Sequence, residues 1–260
     1  MRLFWKLTFV SIRSQMQYPA SFLMLTVSHF FSTFIDIFGI WILFDRFNMI
    51  KGWTLYEVGL SYGVIQMGFA LAEGFARGFD TFSQMIRQGE FDRILLKPLN
   101  PFFQIAVRDV QVMRVGRFFQ GLTILMISCF KLSFSLFSIH TLVIVFSVLG
   151  CFCLFYGLFV IQATLSFWTV ETLELMNLTT YGGLQMGQYP MSIYSRPFRL
   201  IFTFIVPLSC VIYYPLASLL KLETIPLWIG VIAPLSGLAF LGLAYKLWGY
   251  GVTHYSSTGS

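Results

Sequence analysis

Charge is what this sequence has least of. Asp, Glu, Lys and Arg make up 11% of its 260 residues, against about 25% in soluble domains, which excludes an ordinary soluble fold. Cysteine is also scarce. Cys129, Cys151, Cys153 and Cys210 all lie in apolar segments, so no disulfide framework is indicated. Cys151 and Cys153 stand two apart and point about 200° apart on a helix, too divergent to share a metal. The sequence holds no G-x-x-x-x-G-K-[ST] phosphate loop, no H-E-x-x-H or other metal-ligand cluster, and no G-x-S-x-G elbow. Its three histidines (His29, His140, His254) sit on separate segments. These absences predict a chain with no catalytic residues, no metal site and no cofactor of its own.

What the chain has in abundance is apolar length: 57% of its residues are hydrophobic and 18% aromatic. A helical span needs about 20 mostly apolar residues. Residues 20–44, 57–76, 118–138, 140–168, 199–220 and 227–248 meet or nearly meet that requirement. Strands of a membrane barrel would alternate apolar and polar positions, and these blocks do not. The expected fold is therefore an all-α integral membrane protein, one domain over 1–260, with six transmembrane helices. With the N-terminus inside, only Arg46, Lys51, Lys131 and Lys221 of the 17 Lys and Arg fall outside. That asymmetry follows the positive-inside rule. Orientation in a cell membrane, with both termini cytoplasmic, accounts for the excess of basic residues without nucleic acid.

The first nineteen residues mix Arg2, Lys6 and Arg13 with Phe4, Trp5, Phe9 and Ile12, a pattern for a helix lying in the interface (1–19). Pro19 then suits the first turn of span one. Inside the spans stand His29, Asp36 and Glu73. Ionisable groups there are costly and often functional, so these three are candidate substrate-path residues. Structural pairing is the competing role, with Arg77 a natural i+4 partner for Glu73. Residues 169–190 have two readings. Either they form a cytoplasmic elbow, or they enter the membrane themselves and 199–220, broken by Pro207 and Pro215, is a re-entrant hairpin.

Residues 77–117 are the one stretch where the oily chain turns charged. RGFDTFSQMIRQGEFD sets Phe79, Phe82, Met85 and Ile86 on one helical side and turns at Gly89. KPLNP follows, with Asn100 before Pro101 as an N-cap and N1 pair. The expected helix PFFQIAVRDVQVMRVGR then leads into span three, with Phe102, Ile105, Ala106 and Val112 roughly on one face. A mixed-charge, ordered segment between two spans is a docking surface for something in water.

GEFDRILLKPLNPFFQ, QYPMSIYSRPFR, IVPLSCVIYYP and the terminal HYSSTGS occur in that order. Together they make the chain resemble the ABC-type-2 transporter permeases, in the branch of small six-span bacterial permeases without an ATPase of their own. The resemblance implies an export subunit that pairs with a second permease, a related chain or a copy of itself. It also implies two separate ATP-hydrolysing subunits, which carry the ATP and Mg. It places a coupling helix at Gly89–Gln104, where Gly89, Asp92, Arg93, Lys97, Pro98 and Pro101 would meet or stiffen the contact to the ATPase. His254–Ser260 would be a cytoplasmic tail near the same interface. The Phe- and Met-rich spans favour an apolar or amphipathic cargo such as a drug, peptide or lipid. The alternative is a membrane immunity or scaffold protein that sequesters a hydrophobic peptide without pumping it. An ion-coupled secondary transporter would call for an inverted repeat or midplane charges, and no repeat is present.

Overall fold

The computed structural model describes residues 9–10, 12–14, 16–32, 34–134, 138–169, 173–221 and 224–256. Among these the chain is helical and contains no strand beyond one isolated bridge between Ile50 and Trp53. Of the expected interfacial helix 1–19, residues 1–8, 11 and 15 lie outside the described set; Phe9 and Val10 are helical and exposed. Residues 257–260 of the expected tail lie outside it as well.

Two helices, α1 (Pro19–Ser32) and α2 (Phe34–Phe47), follow. Helix α3 (Leu55–Asp80) starts at Thr54, whose backbone N–H donates to Glu57 Oε2 at 2.6 Å, one half of a capping box. Then come three six-residue helices, α4 (Phe82–Arg87), α5 (Glu90–Leu95) and α6 (Pro101–Ala106). Long helices α7 (Val115–Lys131) and α8 (Ile139–Leu165) precede α9 (Leu173–Gly187). The chain ends with the bent pair α10 (Arg196–Ile205) and α11 (Ser209–Leu220), then α12 (Leu227–Ile232) and α13 (Leu235–Thr253).

Four stretches are long and apolar enough to cross a membrane: Pro19–Phe47, Val112–Lys131, Ile139–Leu165 and Leu227–Thr253. The α10–α11 pair, bent by 83°, makes a fifth if it counts as one span. The count stops short of the expected six. Helix α3, which carries the expected span 57–76, is long enough at 26 residues, but Gln66, Glu73 and several glycines dilute its apolar character. It can carry them because it faces other helices and not lipid: nearly every residue from Val58 to Phe79 is buried.

Helix α3 is thus the axis of the molecule, packed against α7 and α8, with α13 on the far side of α8. Small residues let α3 and α7 approach closely. A β-carbon at Gly63 would lie 2.7 Å from the Leu125 side chain and 3.0 Å from the Gly121 carbonyl oxygen. Gln120 donates to the Tyr62 hydroxyl across the same interface at 2.9 Å.

Of the stretch 169–190, the structure describes helix α9. It packs against α3 and α8, with Tyr181 beside Glu73 and Gly187 beside Ile65, so it runs antiparallel to α3 inside the bundle. The break at Val206–Leu208 reaches the same level: a β-carbon at Gly187 would sit 3.4 Å from Leu208. Pro207 removes a backbone donor there, and hydrogen bonding on both sides loosens to the π pattern, over Ile201–Ile205 and Ser209–Tyr213.

Candidate coupling site

The segment after α3 is built as a folded elbow. Helix α4 ends at Arg87, and Gly89 takes φ 66°, the left-handed region that glycine enters without a β-carbon penalty. The chain thereby reverses into α5. Asn100 Oδ1 accepts from the Phe102 N–H at 2.9 Å to cap α6, with Pro101 in the first turn. Gln104 Nε2 donates back to the Ile94 and Leu99 carbonyls at 3.2 and 3.0 Å, closing the turn between the two short helices. Arg108 pairs with Glu90, tying the end of the elbow to its beginning.

The expected continuous helix from Pro101 into span three does not form. Helix α6 stops at Ala106, and the Gln111 N–H donates to the Gly74 carbonyl at 2.9 Å. Tertiary contact with α3 replaces the intrahelical bond. At Gly78 a β-carbon would fall 2.0 Å from the Ile105 carbonyl oxygen, so α6 lies directly on the α3 backbone.

One face of the elbow is an aromatic plug. Phe82 and Phe91 meet at 5.1 Å between ring centroids, Phe82 meets Trp248 at 5.0 Å, and Phe91 meets Phe167 at 5.6 Å and Tyr255 at 4.9 Å. Phe79 and Phe102 stack in beside them at 4.9 Å, and Phe102 reaches Tyr245 at 4.9 Å. Each pair of this kind is worth about 0.5–1.5 kcal/mol beyond area burial. The plug joins the elbow to the end of α8 (Phe167) and to α13 and its tail (Tyr245, Trp248, Tyr255).

The other face is exposed among the described residues. Leu95, Leu99 and Phe103 are exposed, and Leu96 is 86% exposed. Among the sequence candidates, Arg93, Lys97 and Pro98 are exposed on this segment, whereas Gly89 and Pro101 are half-buried and shape the backbone. Asp92 is half-buried beside Tyr255, whose hydroxyl is pushed up by partial burial and by the Asp92 carboxylate. Sequence reasoning weighted the charged residues and passed over Leu95, Leu96, Leu99 and Phe103. Their signal was the repeated leucine in RILLKPL, a run too short for a span and too apolar for a solvated loop.

The second constellation lies deeper. Glu73 is 2% exposed, and both of its oxygens are occupied. Oε1 pairs with Arg114 at 3.2 Å and accepts from the Tyr181 hydroxyl at 3.0 Å, while Oε2 pairs with Arg117 at 2.9 Å. The Arg117 guanidinium also sits 5.4 Å from the Phe69 ring centroid, a cation–π arrangement. Arg77, the expected partner of Glu73, pairs with Asp80 instead, and Gln162 on α8 donates to Asp80 at 3.0 Å. Glu73 is therefore a tertiary link among α3, α7 and α9. His29 lies within electrostatic reach of Glu73, Arg114 and Arg117. Asp36 stands apart beside Gln185, within the field of Arg117. Among the described residues no group of His, Cys, Asp and Glu is placed to hold a metal.

No curated protein and no solved structure matches the chain. The family described as ABC-2 family transporter protein matches residues 16–259, nearly the whole length and all of the helices above. The chain belongs to the ABC-2 family transporter proteins, as a multi-pass membrane permease component that works with an ATPase and is not itself catalytic.

Proposed function

We propose that this chain is the transmembrane subunit of an ATP-driven exporter, with elbow residues 89–104 as the surface on which a separate ATPase subunit docks. The observation that carries this reading is the two-sided elbow. Its buried face is joined by Phe82, Phe91 and Phe102 to the ends of α8 and α13, and its other face presents Leu95, Leu96, Leu99, Arg93 and Lys97 exposed among the described residues. An uncovered apolar patch rimmed by charge marks a protein interface. Closure of two ATPase subunits around ATP would push a paired set of such elbows, one from this chain and one from a second permease. The aromatic plug would pass that displacement to α8 and α13. Both termini then lie on the ATPase side, the cytoplasm, and α3 and α9 join the four long apolar stretches to make six spans, with α10–α11 a re-entrant hairpin. The aromatic-rich spans suit an apolar or amphipathic cargo.

The test is reconstitution. Inverted vesicles carrying the chain with its ATPase should accumulate a hydrophobic cargo only with ATP, and the joint variant Arg93→Glu, Lys97→Glu should abolish both ATPase capture and uptake. Cargo retention that is equal with and without ATP would replace export by non-pumping sequestration.

A further inference from the structure

The acids inside the bundle are not all treated alike. Glu73 and Asp80 each hold an arginine. Asp36 on α2 has no cation within ion-pair distance among the described residues. Its hydrogen-bond partner is the neutral Gln185 amide of α9. The cation whose field reaches it, Arg117, is already held by Glu73 Oε2 at 2.9 Å and faces the Phe69 ring. Asp36 is thus a span carboxylate without a counter-ion of its own.

Its depth makes that unusual. Tyr181 meets Glu73 and Gly187 meets Ile65, so Gln185 between them lies level with the middle of α3. Gln185 is nevertheless exposed there, and Asp36 and Tyr189, one turn further along α9, are half-buried. A carboxylate and an amide open at that level have no place against hydrocarbon, so they line a polar cleft between α2 and α9. Behind Asp36 the wall is polar as well. Tyr62 lies in its field, with Gln66 beside it, and Gln120 donates to the Tyr62 hydroxyl at 2.9 Å. The amide oxygens of Gln66 and Gln120 are buried and accept no hydrogen bond. Buried acceptors are as a rule partnered, so these two are suited to a donor or positive charge brought from outside the fold.

A carboxylate without a counter-ion, two amide oxygens without donors, and the tyrosine rings at 62 and 189 all favour positive charge. We infer that the cleft between α2 and α9 binds an organic cation, a protonated amine carried on an apolar body. The ammonium group pairs with Asp36 on the side away from Gln185, and Tyr189 flanks the entrance. The inference deepens the export reading by naming the class of cargo, and it rests on that reading for the word cargo alone. Binding itself needs neither ATP nor an ATPase.

Fluorescence polarisation with the full chain in phosphatidylcholine nanodiscs, without ATPase or ATP, tests it. The probes are dansylcadaverine, whose terminal amine is protonated, and its N-acetyl derivative, which keeps the apolar body and loses the charge. A hydrogen bond to a charged group is worth about tenfold or more in affinity, so dansylcadaverine should bind about tenfold or more tightly than the derivative. Asp36→Asn keeps the shape of the side chain and should abolish that preference, whereas Asp36→Glu should retain most of it. Gln66→Leu removes a buried amide whose oxygen has no donor, so it should weaken dansylcadaverine roughly threefold without lowering the unfolding midpoint. Equal affinity of the wild type for the two probes would overturn the proposal, as would an Asp36→Asn variant that still prefers the cation. Intact binding without ATP-driven uptake would remove the export reading and leave the cleft standing.

Discussion

The elbow and the first membrane stretch both leave large apolar side chains uncovered, and the two surfaces demand different covers. On α1 and α2, Leu23, Met24, Phe31, Ile35 and Phe38 are exposed along a continuous run long enough to cross a bilayer. Lipid satisfies such a surface at no cost. On the elbow, Leu95 and Phe103 are exposed on helices of six residues and Leu96 and Leu99 in the turn between them, interleaved with Arg87, Arg93, Lys97 and Arg108. Helices that short, with that much charge, cannot sit in hydrocarbon, and the cover proposed for them is another protein. Exposure acquires meaning only together with the medium that meets it.

The difference can be attacked from its strongest point downward. The inner face of the elbow should be the most sensitive. Phe91→Ala empties the middle of the aromatic plug and should cost about 3–5 kcal/mol, read as a fall in the unfolding midpoint in detergent. Phe38→Ala on the first stretch, where the ring already faces outward, should move that midpoint far less. An equal fall in both would show that the plug is not a packed core. Next comes Ile35→Asp, which places a charge in a lipid-facing position and should oppose insertion by about 2.5–3.5 kcal/mol. A translocon insertion assay measures it, and unimpaired insertion would mean this face does not meet lipid. Leu96→Asp makes the same kind of change on the elbow. There it should leave stability within about 0.5 kcal/mol while weakening ATPase capture by about tenfold or more, as for an interface hot spot. The smallest effect is expected for Arg93→Ala, an exposed charge worth about 1 kcal/mol or less. Its contribution to capture should shrink further as salt is raised.

Much of the elbow was legible because its signals are local. The turn at Gly89, the Asn100 cap with Pro101 behind it, and the apolar side formed by Phe79, Phe82, Met85 and Ile86 all depend on neighbours a few residues away. The structure places them as the pattern indicated. Readings that required tertiary knowledge fared differently. Glu73 takes Arg117, 44 residues away, in preference to Arg77 at i+4, because packing α7 on α3 brings two guanidiniums to its carboxylate. Helix α6 ends at Ala106 with no sequence stop signal, since what stops it is the Gly74 carbonyl. The proline at 207 announced a break, yet only the position of Gly187 beside Leu208 and Ile65 shows where the break sits in the bundle. That α3 is surrounded by helices, and so is free to carry glycine, glutamine and glutamate within the stretch 57–76, is likewise invisible in local sequence.

Whether the exposed leucines of the elbow face the ATPase is decided by paired cysteine variants. Leu96→Cys and Ile35→Cys, each introduced singly, would be treated with a membrane-impermeant maleimide on inverted vesicles and then with a bifunctional crosslinker in the presence of the ATPase subunit. Leu96→Cys should be labelled, become protected when the ATPase is bound and crosslink to it, while Ile35→Cys should do none of these. Labelling of Leu96→Cys that the ATPase leaves unchanged, with no crosslink formed, would contradict it.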